Sequence, residues 1–411
     1  MTFGTVRLGL CLAAAVPTLV AMSKAPGAET LFFPNLVYRT GAYGPTGVPI
    51  ANGLADYYAL INERDGGVEG VKIVYEECET GFNAKVGLEC YEKLKRKDAL
   101  LFYPLSTGIT YLILAKAHVD KIPILSMGYG RADSADGRVF PWIFNFPATY
   151  WSQASALIRH LGHQEGGMDK LKDKKIALIY HNSTYGREPI PILRNLEKKY
   201  KFKLSLLAVD HPGQEQKTTW WQIRRTRPDY ILLWGWGVMN RVAIKKAAAI
   251  GYPMDRLIGV WSSASKIDVV PAGKGAIGYK ASTFHAPGAN RRVHQDILKY
   301  LYNKGRGAGE IDRVGEVLYN RGLFNALVAS EAARDAIKKH GKKITGTHMR
   351  EALENLNLTE ARLVKLGFGG FTKPIKVTCK DHETSGAVLI QQWDGKRWKI
   401  ASKWLEPIKE V

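Results

Sequence analysis

Residues 176–186 read IALIYHNSTYG, and this stretch decides how the whole chain is interpreted. Its apolar run 176–180 reads as a short strand buried on both faces, and an amphipathic helix is expected directly after it at 188–200. Toward the C-terminus the pairing recurs, with strands expected at 203–209, 230–234 and 257–260 and helices at 218–226 and 239–250. Toward the N-terminus strands are expected at 31–38, 71–76, 99–103 and 122–126, and helices at 50–64, 83–95, 110–120 and 150–161. In the helix at 50–64, Leu54, Tyr57, Tyr58 and Ile61 have the three-and-four spacing of one buried face, and Gly66-Gly67 stops it. Alternation of this kind is the signature of a parallel sheet wrapped by helices. One series starts near Leu31 and a second near Lys174, with Pro141 and Pro147 marking an extended crossing between them. Two similar lobes are expected, and 411 residues suit two cores better than one.

Beyond 278 the pattern resumes with a strand at 279–284 and helices around 296–304, 319–340 and 346–355. The tail reads as strands at 375–380, 387–393 and 398–404, with Asp394-Gly395 as a hairpin signal. The first 28 residues differ from the rest: Arg7 precedes the apolar stretch 8–22, and small residues follow near Ala25 and Ala28. That is the layout of an export signal, too short for a membrane span and interrupted by Pro17. A lipid anchor at Cys11 is disfavoured because bulky Leu10 precedes it. No second apolar run of that length follows, so no stable membrane insertion is expected.

The formal charge is +21, from 59 basic and 38 acidic residues; loss of Arg7 and Lys24 with the signal leaves +19. Nucleic acid, an anionic membrane or an acidic small ligand all suit such a surface. The basic residues are dispersed, as at Lys93, Lys95, Lys97, Lys172, Lys174 and Lys175, and no basic block interleaves with aromatics, so no nucleic-acid partner is expected. Cys78 and Cys90 either pair across a strand end and the next helix start or stay as buried thiols, and Cys379 is left over. Cysteine spacing fits no metal pattern, and His160 with His163 is expected on a helix surface, so neither metal nor cofactor is expected.

The strings at the strand ends resemble the branched-chain amino acid-binding family, the leucine/isoleucine/valine type of periplasmic receptor. Residues 39–47 (RTGAYGPTG) are similar to its first ligand loop, and Gly66-Gly67-Val68-Glu69-Gly70 with Val71-Lys72-Ile73 to its GGVxGxKI element. Tyr103-Pro104-Leu105-Ser106-Thr107-Gly108 resembles the GPxSSG loop, and 121–126 (KIPILS) the VPxIS strand. Residues 179–186 (IYHNSTYG) look like the IYDDSxYG string, and Arg227-Pro228-Asp229-Tyr230 like the xPDxI strand entry. The matches run in order over most of 30–280. The resemblance implies an α/β fold of two Rossmann-like lobes, the type I periplasmic binding protein, joined by three crossover segments and closing on a ligand. The expected division is an export signal at 1–28, a first lobe of 29–148 plus 279–355, and a second of 149–278 plus 356–411. A periplasmic monomer is implied, serving the permease subunits of an ABC transporter.

Ligands of such sheets sit outside the strand C-termini. Gly41, Gly44, Gly47 and Gly108 let backbone come close to a ligand, and the hydroxyls of Ser106 and Thr107 suit a carboxylate or, alternatively, cap the helix that follows. Amino-acid-binding members of the family place a Ser or Thr shortly after the VPxIS strand and an acid near position 260 to hold the ammonium. Here the two places read Ser126-Met127-Gly128-Tyr129-Gly130 and Gly259-Val260-Trp261-Ser262-Ser263, without a carboxylate. An unpaired ammonium in a dry cleft costs several kcal/mol, so an α-amino acid ligand is disfavoured. Aromatic residues stand in those places: Tyr129, Trp234, Trp236 and Trp261 at strand ends, with Tyr43, Phe146, Tyr150 and Tyr185 on matching loops. With Leu105, Gly128 and Ser262 these form the expected ligand site, suited to a benzoate- or cinnamate-like acid. Arg39 and Arg131 follow strand ends too, as carboxylate partners or as surface ion-pair residues.

Two other readings compete. Gly273-Lys274-Gly275-Ala276-Ile277-Gly278 matches GxGxxG but precedes a strand instead of linking strand to helix, and no GxSxG, Walker or HExxH string is present, so an enzyme is not expected. A sensory receptor of the same fold has the same sequence pattern, and an amino acid or amide binder of that fold is the other alternative.

Overall fold

Alternation with period two sorts the strand side chains of this computed structural model, which describes residue 1 and residues 29–409, onto the two faces of each sheet. The export segment expected over 1–28, Met1 apart, lies outside the described residues. In the first lobe β1 (Thr30–Val37), α1 (Gly44–Arg64), β2 (Lys72–Glu79), α2 (Ala84–Leu94), α3 (Thr107–Asp120), β3 (Ile124–Leu125) and β4 (Ile143–Phe144) follow in order. β1 pairs in parallel with β2, Leu31 opposite Ile73. The segment expected as a strand at 99–103 forms isolated parallel bridges instead, Asn35 to Tyr103 and Phe102 to Ile124, and so fills the place between β1 and β3. Proline at 104 and at 123 interrupts the ladder there, since Pro donates no backbone hydrogen bond. The spatial order is therefore β2, β1, 99–103, β3, β4, all parallel.

The second lobe repeats this order. It contains α4 (Tyr150–Glu165), β5 (Lys175–His181), α5 (Thr184–Arg187), α6 (Ile190–Tyr200), β6 (Lys203–Val209), α7 (Lys217–Thr226), β7 (Tyr230–Trp234), α8 (Val238–Ala249), β8 (Leu257–Gly259), α9 (Lys266–Val269) and β9 (Lys280–Thr283). Strands β6, β5, β7, β8 and β9 lie side by side in parallel. Ile176 and Leu178 of β5 face the core shared with α6, whereas Ala177 and Ile179 face the core under α7 and α8.

The chain then returns to the first lobe through α10 (Arg292–Tyr300), α11 (Val317–His340), α12 (Gly346–Glu354), β10 (Asn357–Leu358), α13 (Glu360–Leu366) and β11 (Ile375–Lys376). It ends with the antiparallel pair β12 (Leu389–Trp393) and β13 (Trp398–Ile400), which extends the second sheet to seven strands. The Asp394-Gly395 turn joins them, the Asp394 carboxylate accepting from the amides of Lys396 and Arg397. Three passages thus connect the lobes, after β4, β9 and β11.

The expected boundaries need two corrections. The division at 279 falls too early, because β9 is hydrogen-bonded between β8 and β12 and belongs to the second sheet. The division at 355 also falls too early, because Arg362 of α13 bridges Glu331 of α11 and Phe368 packs on Tyr57 of α1. Cys78 and Cys90 are bonded to each other, tying the end of β2 to α2 with Cα atoms 5.8 Å apart, and Cys379 is exposed. His160, expected on a helix surface, is buried at 8% exposure, and burial pushes its pKa down to about 4.

Candidate ligand-binding cleft

The connections that follow β1 and 99–103 run to opposite faces of the first sheet, and those that follow β5 and β7 do so in the second. Each pair marks a switch point, where a crevice opens beyond the strand C-termini. The two crevices face each other across a small cavity of about 30 Å3. From the first lobe Tyr38, Ile50, Phe82, Leu105, Ser106, Thr107 and Tyr129 line it; from the second come Tyr150, Tyr185, Trp236, Trp261 and Ser262. Among these lining residues there is no carboxylate and no cation.

The rings meet edge to face and tilted, as their quadrupoles favour. Trp236 lies 5.6 Å from Trp261 at 59° and 6.1 Å from Tyr38 at 79°, and Tyr150 lies 5.3 Å from Tyr185 at 54°. The polar ends of Tyr129, Tyr185, Ser262 and Trp261 are tied to backbone or to each other. The Leu105 amide donates to Tyr129 Oη at 2.9 Å, Tyr185 Oη and Ser262 Oγ both reach the Gly235 carbonyl at 3.0 Å, and Trp261 Nε1 donates to the Gly128 carbonyl at 3.2 Å. Ser106 caps α3 through the Ile109 amide at 3.4 Å, and Thr107 Oγ1 meets Tyr150 Oη at 3.2 Å. In the cap Ser106 Oγ accepts, which leaves its O–H free to donate, and Thr107 Oγ1 also accepts from the Gly130 amide at 3.3 Å. The indole N–H of Trp236 is buried, with the Tyr38 hydroxyl as its polar neighbour.

Two clasps cross the mouth. Tyr43 Oη, from the first lobe, lies 2.8 Å from His181 Nε2 and 2.5 Å from His211 Nδ1 of the second. Burial and the neighbouring His211 push the His181 pKa down to about 4. On another side the Glu188 carboxylate accepts from Tyr111 Oη and, at 3.1 Å, from the Ala132 amide, and burial raises its pKa. An open groove of about 510 Å3 lined by Tyr111, Arg131, Trp151 and Arg187 lies outside that clasp.

Of the residues singled out in the sequence, Leu105, Ser106, Thr107, Tyr129, Tyr150, Tyr185, Trp236, Trp261 and Ser262 come together around the cavity. Four do not line it. Tyr43 sits in the histidine clasp, Gly128 supplies a carbonyl to Trp261, Phe146 is in the core, and Trp234 is fully buried behind Tyr150, 5.7 Å from its ring. Arg39 forms a two-pronged ion pair with Glu77, at 2.5 and 2.7 Å, and Arg131 pairs with Asp133, so both are ion-pair residues.

The sequence reading missed Tyr38, Ile50 and Phe82, which lie one residue after β1, on α1, and on the loop after β2. It also missed Arg321 of α11. The Arg321 guanidinium is 2% exposed and lies 5.0 Å from the Trp261 ring and 4.2 Å from Phe284. Nη2 donates to the Met127 carbonyl, whereas Nη1 is buried without a partner. Its signal in the sequence was a cation inside a stretch, 317–330, that holds no other charged residue and whose helical period aligns it with Leu318, Phe324 and Val328.

The model of the periplasmic binding protein family matches residues 30–397. No curated protein matches the chain. Among solved structures, the crystal structure of an ABC transporter permease from the Pseudomonas fluorescens group is 42% identical, with 93% of each chain covered and a TM-score of 0.85. A branched-chain amino acid ABC transporter from Thermus thermophilus with bound valine is 21% identical, covering 93% of this chain and 96% of that one, with a TM-score of 0.76. An ABC transporter solute-binding protein from R. palustris in complex with benzoate is 16% identical over 92% and 97%, with a TM-score of 0.69. At such identities the last two share the fold.

Proposed function

This chain belongs to the periplasmic binding protein family, and on that premise we propose that it is the solute receptor of an ABC importer and takes a small aromatic carboxylate between its lobes. One observation carries the aromatic part of the reading: the interlobe cavity is walled by the rings of Tyr38, Phe82, Tyr129, Tyr150, Tyr185, Trp236 and Trp261, with hydroxyls at its edge and no acid. Flat rings in tilted array favour a flat solute, each such contact being worth about 0.5–1.5 kcal/mol beyond burial. An α-amino acid finds no anionic partner there for its ammonium group, a penalty of several kcal/mol. The benzoate complex of the R. palustris protein shows that this fold holds such a solute elsewhere.

A cavity of about 30 Å3 is smaller than the roughly 150 Å3 that holds benzene, so a bound solute keeps these rings further apart than they stand here. The family is one of transport receptors that deliver a solute to permease subunits, not an enzyme class. Among the described residues no helix is long and apolar enough to cross a membrane. A periplasmic setting agrees with the Cys78–Cys90 bond, since disulfides persist in oxidising compartments. The excess positive charge favours the approach of an anionic solute to the protein.

Thermal unfolding of the purified protein against benzoate, cinnamate and L-leucine tests the proposal. A bound solute stabilises by RT ln(1 + [L]/Kd), about 2.7 kcal/mol at a hundredfold excess over Kd. The aromatic acids raise the melting temperature and leucine does not; the reverse pattern refutes the assignment.

A further inference from the structure

Arg321 is a cation without a counter-ion. Among the described residues no ion pair includes it, and its nearest titratable neighbours, Tyr129, Tyr150 and His285, are uncharged at neutral pH. Elsewhere on the same helix, charge is balanced: Arg334 bridges Glu331 and Glu69, and Arg362 bridges Glu331 as well. Burial alone pushes the Arg321 pKa down to about 9. Keeping an unpaired charge out of water costs several kcal/mol, and sites that break a local rule in this way are commonly functional.

The surroundings are built to keep this cation where it is. Gly128, at φ +77, passes so close that a Cβ there would stand 2.5 Å from Arg321 Nη2 and 2.5 Å from the Phe284 ring. What covers the guanidinium belongs to the other lobe. Trp261 follows β8 of the second sheet and its indole lies over Arg321 and bonds the Gly128 carbonyl, whereas Arg321 and Gly128 both belong to the first lobe. Trp261 also walls the aromatic cavity. Parting the lobes therefore lifts an aromatic lid from a buried cation at the edge of the solute site.

We propose that Arg321 is the specificity-determining residue of the cleft, its free Nη1 and the guanidinium fork receiving the carboxylate of the incoming solute when Trp261 withdraws. This rests on the reading of the interlobe cleft as the solute site and places the charge partner of the anion on α11, in addition to the hydroxyls of Ser106 and Thr107. Arg presents paired donors that match a carboxylate, which a Lys ammonium does not. A neutral isostere of the solute leaves the charge uncompensated.

Calorimetric titration of the purified protein with benzoate, cinnamate, acetate, benzamide and L-leucine, for the parent and for Arg321→Met and Arg321→Lys, tests it. Benzoate or cinnamate binds the parent and benzamide does not. Arg321→Met weakens the acid about 100-fold, and Arg321→Lys weakens it less. The melting temperature of Arg321→Met without solute stays within a few degrees of the parent or rises, because an unpaired buried charge has gone; a merely structural Arg321 predicts a large fall. If leucine or acetate binds instead of the aromatic acids, and Arg321→Met loses it, the inference stands while the aromatic assignment falls. Equal binding by parent and Arg321→Met, equal binding of benzamide and benzoate, or no carboxylate bound at millimolar concentration overturns it.

Discussion

Tyr43 is the residue through which pH reaches the cleft. Its hydroxyl joins His181 and His211 across the lobes, and the other groups around the pair are Ser183 on His181 Nδ1 and Asp210, whose charge favours the protonated ring. His181 titrates near 4 here against an ordinary 6.5, so the neutral ring is the form that the closed protein holds. Its contribution is complete above pH 6.5 and is lost as pH falls through about 4, on the order of 3 kcal/mol from a shift of that size. Asp268, pushed up to about 7 by burial, acts in the opposite sense, since its contribution falls as pH rises from 3.8 through 7. The readout for the clasp is therefore closure and not overall stability: Trp fluorescence and small-angle scattering should show the lobes parting between pH 6.5 and 4. Tyr43→Phe, which strips both imidazoles of their shared partner at a cost of about 1–3 kcal/mol, should give the open form already at pH 7. The sequence reading had put Tyr43 in the ligand site for its loop position. Only the folded chain shows that two histidines, 138 and 168 residues away, claim its hydroxyl first.

Among the elements, α1 and α11 form the tightest contact and α11 carries the buried arginine. Gly53 of α1 and Gly322 of α11 make it possible: a Cβ on Gly53 would stand 2.1 Å from the Tyr319 carbonyl, and one on Gly322 would stand 2.1 Å from the Ile50 carbonyl. Gly322→Ala is expected to force the helices apart at a cost of about 1–3 kcal/mol, measured by chemical denaturation, and to displace Arg321 with a loss of solute affinity. The Cys78–Cys90 link acts on another element, anchoring α2 to the end of β2 across a separation of 12 residues. Replacing both cysteines with Ser should lower stability by about 2–4 kcal/mol, seen as an earlier denaturant midpoint, with solute affinity retained because neither residue borders the cavity. Elements with a strong period were legible before folding. The 99–103 strand was legible only as an apolar run, because its ladder is broken by prolines and completed by neighbours from distant parts of the chain.

At the scale of the whole molecule, function depends on the balance between parted and closed lobes. Glu188 holds the closed form by accepting from Tyr111 and the Ala132 amide across the mouth. Glu188→Ala removes both acceptors, and solute release measured by stopped-flow fluorescence should quicken by about tenfold, with a larger radius of gyration in solution. The carboxylate borders the open groove and bridges the lobes there, so its loss bears on closure and not on the aromatic cavity.

Periodicity and turn chemistry in the chain determined the α/β class, the repeated alternation of strand and helix in two series, and the strand-end loops as the places to look for a ligand, because these follow from local spacing of apolar residues. The aromatic character of the cleft was readable for the same reason, as Tyr129, Tyr185, Trp236 and Trp261 each follow a strand closely. Only the tertiary structure decided that β9 stays with the second sheet, that Trp234 turns into the core, that Ser106 Oγ accepts in a helix cap, and that Arg321 stands unpaired beside Trp261. These depend on which groups from remote segments arrive within a few ångströms of one another, and hydrogen bonding and desolvation are decided at that range.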